Sequence, residues 1–170
     1  MQVLVGTSGY SYPAWRGSFY PKDLKAAAML RYYAERLPTV EINNTFYRMP
    51  RAEMLEKWAA QVPSGFVFVL EGSQRITHFK RLKDAGESVG YLFEAARALG
   101  DKLGPVFFQL PPSARKDMSR LLAFLDQQRL DDAALRPRLM GYERHAEDLR
   151  CQFAGLSGRF GDLHAAALAA

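Results

Sequence analysis

The chain has 170 residues, 48% apolar and 24% charged, which fits one domain with a real core and excludes a disordered chain. Its one cysteine, Cys151, excludes a disulfide framework and a cysteine-based metal site and points to a reducing compartment. The net charge of +5 and pI of about 9.4 lean toward anionic partners but do not diagnose nucleic-acid binding, since a solvated basic surface accounts for the total.

Taken in chain order, the first element is a strand over 3–8, "VLVGTS". The opening "MQVLVGTSGY" has no basic stretch ahead of its short apolar run, so it does not read as a signal peptide, and no later run reaches the length of a membrane span. The expectation is a cytoplasmic protein with no membrane partner. Helical spacing follows over 24–37, then a strand over 39–43, "TVEIN". A short helix is expected over 52–62, with Met54, Leu55, Trp58 and Ala59 on one stripe, and a strand over 66–71, "FVFVLE". Val89, Leu92, Phe93, Ala96 and Leu99 mark a helix over 89–99. A strand over 105–110, "PVFFQL", and a helix over 118–128 complete the series. The strands are short and nearly continuous in apolar character, as in parallel sheets covered on both faces.

This β-α alternation, at intervals of roughly 30 residues, is the βαβ pattern. Right-handed crossovers then make the strands parallel. The fold class expected is α/β, with about four parallel βα units forming either a doubly wound sheet or part of a (β/α)8 barrel. "GTSGYSYPAWRG" lacks the dinucleotide and P-loop spacings. From 131 onward the chain turns rich in Ala, Arg and Gly, with no clear fifth strand and a helix expected over 146–153. The expected division is therefore 1–130 and 131–170.

In parallel α/β folds the loops after the strands share one face, and sites form there. After the first strand that face receives Thr7, Ser8, Tyr10, Tyr12, Trp15 and Arg16. After the second come Glu41, Asn43, Thr45, Tyr47 and Arg48. The third supplies Glu71, Ser73, Arg75, Thr77, His78, Lys80 and Arg81, and the fourth Gln109. Glu41 reads either as a general base raised by burial or as a structural carboxylate bonded to backbone amides or Arg48. His78 reads as an acid, a base or a phosphate-binding hydrogen-bond donor, or as a plain surface histidine. Asn43 and Gln109 orient a ligand through their amides or satisfy loop backbone. Tyr10, Tyr12, Trp15, Phe46 and Tyr47 stack a ring or form a loop mini-core. Arg48, Arg75, Lys80, Arg81 and Lys83 form an anion site or a solvated loop. Glu41, Glu71 and His78, the early ligand candidates, have no metal-site spacing, so no metal is expected.

The stretches "VGTSGYSYPAWRGSFYP", "YAERLPTVEINNTFYRMP", "GFVFVLEGSQRITHFKRL" and "KLGPVFFQLPPS" together resemble the DUF72 family, which includes the YecE-like proteins. The resemblance implies a TIM-like barrel of unestablished biochemical function, with no cofactor to name. Carried over residue by residue, it marks Thr7, Ser8, Trp15, Glu41, Asn43, Thr45, Tyr47, Arg48, Thr77, His78 and Gln109. Two departures stand out. The family usually has lysine where this chain has Glu71. Its E-x-R-H stretch on strand five is matched only by "YERH" at 142–145, and the similarity gives out near 130. A full barrel takes roughly 250 residues, so a truncated or frame-shifted product is the leading expectation and a natural half-barrel the alternative.

Three functional readings follow. One is an enzyme acting on a phosphorylated or otherwise anionic small molecule, with Glu41 and His78 as acid and base and the arginines, Arg75 and Arg81 among them, as clamps. The second is a nucleic-acid or nucleotide binding module. The third is an inactive truncated product. Four βα units also leave two open sheet edges, with Val3, Val5, Val106 and Phe108 expected on the uncovered inner face. A homodimer, or aggregation through those edges, is the expected consequence.

Overall fold

The computed structural model describes residues 3–130, with 127–130 as helical backbone only. The strands are β1 (Gly6–Ser8), β2 (Thr39–Ile42), β3 (Val67–Glu71) and β4 (Leu103–Phe107). They form one parallel sheet in the order β1-β2-β3-β4. Between and after them run α1 (Met29–Ala34), α2 (Asn44–Tyr47), α3 (Ala52–Ala59), α4 (Gly86–Ala96) and α5 (Met118–Leu130). Each strand meets its sequence neighbour in parallel, as right-handed βα crossovers require. The expected α/β class with parallel βα units is the observed one, a partial βα barrel. Positions 131–170, including the helix expected over 146–153, the "YERH" stretch and Cys151, lie outside the described residues.

The element bounds differ from the sequence reading for local reasons. β1 starts at Gly6, not at 3, because β2 offers pairing only from Thr39. Pro38 ahead of it has no N–H, and its carbonyl already accepts from Val67 N at 2.9 Å. Val3 and Val5 are left 70% and 66% exposed. β4 begins earlier than expected because Gly104 lets it approach β3: a Cβ there would stand 2.5 Å from Val67 Cγ1. The helix expected over 24–37 opens as a 3-10 turn, Ala26–Ala28, since neither Lys25 nor Ala28 provides a side-chain cap. Two further elements, α2 and a π turn at Arg75–Phe79, escaped the sequence reading. Both sit immediately after strands.

One sheet face is packed against the helices. Val40, Ile42, Phe68 and Leu70 are each at most 3% exposed and join Leu30, Tyr33, Leu55 and Leu99 in the main core. Each such side chain contributes about 1.5–3 kcal/mol of burial. A second cluster gathers Ile76, Leu82, Val89, Leu92 and Phe124 against Phe108. The opposite face carries Thr39, Glu41, Val67, Val69 and Glu71, all half-buried, and Phe107, which is 45% exposed. Val106 and Phe108 are therefore not inner-face residues. Val106 pairs with Leu70 and packs on the helix side, and the alternation puts Phe107 on the open face. Among the described residues β1 and β4 each have one strand neighbour. No helix among them is long and apolar enough to cross a membrane.

Candidate functional site

At the end of β1 the alternation separates two candidates. Thr7 turns to the helix layer: its N–H donates to the Tyr33 hydroxyl at 2.9 Å, and its own hydroxyl donates to Gly9 O at 2.6 Å. Tyr33, fully buried, in turn donates to Thr39 O. Thr7 thus ties β1 to α1 and β2. Ser8 stays on the open side, in register with Glu41, and accepts from Asn43 Nδ2 at 2.6 Å. The amide oxygen of Asn43 is buried and has no hydrogen-bond partner among the described residues. A cleft of about 200 Å³ lies here, lined by Gly9, Tyr10, Tyr12, Asn43, Asn44 and Trp58 among others.

The aromatic residues of the β1 loop pack on one another. Trp15 meets Tyr12 at 4.8 Å, Phe19 at 5.7 Å and Tyr20 at 6.1 Å between ring centroids. Tyr20 donates its hydroxyl to Tyr10 O. Burial, then the neighbouring Tyr33 and Tyr10, push the Tyr20 hydroxyl up to about 12, so it remains a proton donor at any physiological pH. The structure therefore packs Trp15 among the aromatic residues of its own loop.

Glu41 and Glu71 share the open face at the ends of β2 and β3. Glu41 is opposite Val69, and Glu71 lies two residues further along β3, which strand geometry puts about 8 Å away at Cα. Burial, and secondarily the charge on Glu41, raise the Glu71 carboxyl above its ordinary value. Glu41 takes part in no ion pair among the described residues, so neither Arg48 nor any other described cation holds it. Its backbone carbonyl accepts from Gly9 N at 2.8 Å.

Three hydroxyls build the platform beneath the strand ends. Thr45, fully buried, lies 2.7 Å from both Ile42 O and Glu71 O and bridges β2 to β3. Ser73 reaches back to Phe46 O at 3.3 Å. Thr77, also buried, engages His78 Nδ1 at 2.9 Å, which leaves Nε2 as the nitrogen turned to other partners. The His78 ring stands edge-on to Phe46, 5.0 Å between centroids, so α2 and the π turn are docked together. Beyond the turn, Arg81 and Leu82 have φ of 49° and 67°, a left-handed conformation costly for side chains with a Cβ. Leu82 is held there by burial in the second cluster and by donating its N–H to Ile76 O.

Arg48, Arg75 and Arg81 are exposed and form no ion pair among the described residues. Tyr47 is 72% exposed. Gln109 is also exposed and its amide is spent on Leu110 O. The structure thus joins Ser8 to Asn43, Thr45 to the Glu71 backbone and His78 to Phe46. Among the described residues no hydrogen bond or ion pair joins Glu41 to His78, or Gln109 to either. No group of three His, Cys, Asp or Glu among the described residues could hold a metal. Sequence reasoning missed Phe79, 74% exposed between His78 and Lys80. The signal is weak: Ile76 and Leu82 stand three residues to either side of Phe79, so helical spacing suggests a buried ring, and only the basic neighbours Lys80, Arg81 and Lys83 argue otherwise.

Comparison with known proteins places this arrangement. The profile described as "Protein of unknown function DUF72" matches residues 4–150, so the match continues past 130. The UPF0759 protein YunF of Bacillus subtilis is 28% identical over 116 residues, 65% of this chain and 40% of that protein. The UPF0759 protein YecE of Escherichia coli K12 is 25% identical over 125 residues, 73% of this chain and 43% of that protein. The chain thus spans less than half the length of these relatives. A crystal structure of a DUF72 family protein from Thermotoga maritima superimposes with a TM-score of 0.63 at 28% identity, covering 76% of this chain and 52% of that one. Another, from Enterococcus faecalis, gives 0.51 at 25% identity, covering 61% and 43%. With the profile running over most of its length and four parallel βα units that overlay on solved members, the chain belongs to the DUF72 family.

Proposed function

We propose that the strand-end face binds an anionic small molecule, with Arg48, Arg75 and Arg81 as the anion clamps and Glu41 and His78 as acid and base. One observation carries this reading. The segments leaving β2 and β3, 43–51 and 72–83, hold Arg48, Arg51, Arg75, Lys80, Arg81 and Lys83 and no carboxylate. Among the described residues these arginines form no ion pair, so the six cations outweigh the two strand-end carboxylates, Glu41 and Glu71. Guanidinium groups suit bidentate contact with phosphate or carboxylate. Thr45 and Thr77 serve by positioning the two turns, and Ser8 and Asn43 by supplying polar groups beside them.

The test is thermal melting in phosphate and pyrophosphate against chloride of equal ionic strength. A ligand that binds only the folded state raises Tm. The expected rise is lost in the Arg75→Ala, Arg81→Ala double variant. An equal rise in that variant shows general salting and removes the reading. The ring of strand ends is half complete among the described residues, and a second copy docking its β1 against β4 would close it. Sedimentation that finds only monomer at assay concentration removes that part.

A further inference from the structure

Tyr47 and Phe79 are the two most exposed large apolar side chains among the described residues, at 72% and 74%. A ring left in water forgoes the burial that the other aromatic residues obtain. Tyr47 does not stand alone. Tyr47 meets Phe46 edge-on at 5.0 Å, and Phe46 meets His78 edge-on at 5.0 Å. Phe79 follows His78 directly. The row Tyr47, Phe46, His78 locks the turn after β2 to the turn after β3, so the two exposed rings flank one docked unit. Cations border each: Arg48 follows Tyr47, and Lys80 and Arg81 follow Phe79.

We propose that this unit binds a nucleoside monophosphate, with Tyr47 or Phe79 stacking on the base while the arginines hold the phosphate. The proposal rests on the anion-binding reading and adds the base. The pairing of open π faces with net positive charge is what a ring-bearing phosphate needs. A plain sugar phosphate would leave both rings unused. A docked protein segment of ordinary charge would leave the six cations of the two turns unpaired. The patch occupies two adjacent turns, and the whole chain carries only +5, which favours a single nucleotide over a long strand.

Equilibrium dialysis with AMP, ribose 5-phosphate and inorganic phosphate tests this. AMP is expected to bind about tenfold or more tighter than ribose 5-phosphate, the effect of one stacked base. Tyr47→Ala and Phe79→Ala, both at exposed positions, are compared with the parent for retained Tm. At least one of them abolishes the preference and leaves inorganic phosphate binding unchanged. Arg75→Ala weakens all three ligands. Equal binding of AMP and ribose 5-phosphate, still lost with Arg75→Ala, overturns the base-stacking proposal and leaves the anion site standing. No binding of any of the three overturns both. Tight, steeply salt-dependent binding of an oligodeoxythymidylate with no AMP binding overturns the mononucleotide in favour of single-stranded nucleic acid.

Discussion

The two faces of one sheet have had opposite fates. Val40, Ile42, Phe68 and Leu70 point to the helices and are almost completely buried, while Glu41, Val67, Val69 and Glu71, their alternating neighbours, are only half covered. The same strands supply both sets, so strand propensity does not explain the difference. What differs is the supply of partners. Each βα unit brings a helix to the outer face within its own few dozen residues. The inner face of a barrel is filled only by strands from across the ring. The four described strands, half a ring, therefore carry a finished outer core and an inner face without cross-ring partners among the described residues.

The largest expected effect sharpens that contrast. Phe68→Ala removes a fully buried ring stacked near Trp58 and Phe66 and should cost about 3–5 kcal/mol. Val69→Ala, one residue along on the other face, should cost about 1 kcal/mol or less, since its site is already partly wet. Urea unfolding of both variants reads the difference. Equal costs would mean that the inner face is as well packed as the outer and would break the comparison.

Next comes the polar pin on the outer face. Tyr33→Phe keeps the ring but leaves Thr7 N–H and Thr39 O without the hydroxyl that serves them. A loss of about 1–3 kcal/mol is expected, together with faster amide exchange at Thr7. Unchanged exchange at Thr7 would show that water replaces the hydroxyl and that β1 is not pinned from the helix side. Thr45→Val at the seam of the two faces should cost about 1 kcal/mol. It loosens the contact between α2 and the end of β3, so the His78 imidazole resonances should shift with it.

The outer half of this molecule was legible because its information is local. Four apolar runs separated by helical stripes at βαβ spacing leave little choice of topology. Quoted motifs such as "VEINNTFYRMP" added the family. What was not legible depends on contacts across the sheet. Nothing in "PVFFQL" says whether Val106 or Phe107 faces the helices; the register with Leu70 decides it. Thr7 and Ser8 look equivalent in sequence, yet alternation sends one to Tyr33 and the other to Asn43. Trp15 read equally as a stacking ring or as loop mini-core, because its contacts with Tyr12, Phe19 and Tyr20 form only once the loop closes. The short α2 and the π turn have too few residues to show a period, and they carry the exposed rings Tyr47 and Phe79.

The smallest effect concerns the open face itself. Glu71 is raised by burial and by the charge on Glu41, so folding favours its protonated form. The stability that this provides is fully present below the ordinary Glu value of 4.5 and is lost as pH rises through the raised one. Glu71→Gln cannot lose a proton there. Its stability relative to the parent should therefore grow with pH across that window and level off above it. Glu41→Gln removes the secondary cause and should narrow the window from its upper side, because Glu71 then titrates closer to 4.5. The difference stays modest, since a half-exposed carboxylate is screened by water and salt. Urea midpoints of the parent and both variants from pH 4 to 8 give the measurement. A constant offset between Glu71→Gln and the parent would mean that neither burial nor Glu41 raises the Glu71 carboxyl. If a second copy covers this face, the pair loses its water, and the slope should steepen with protein concentration while the Phe68→Ala cost stays the same.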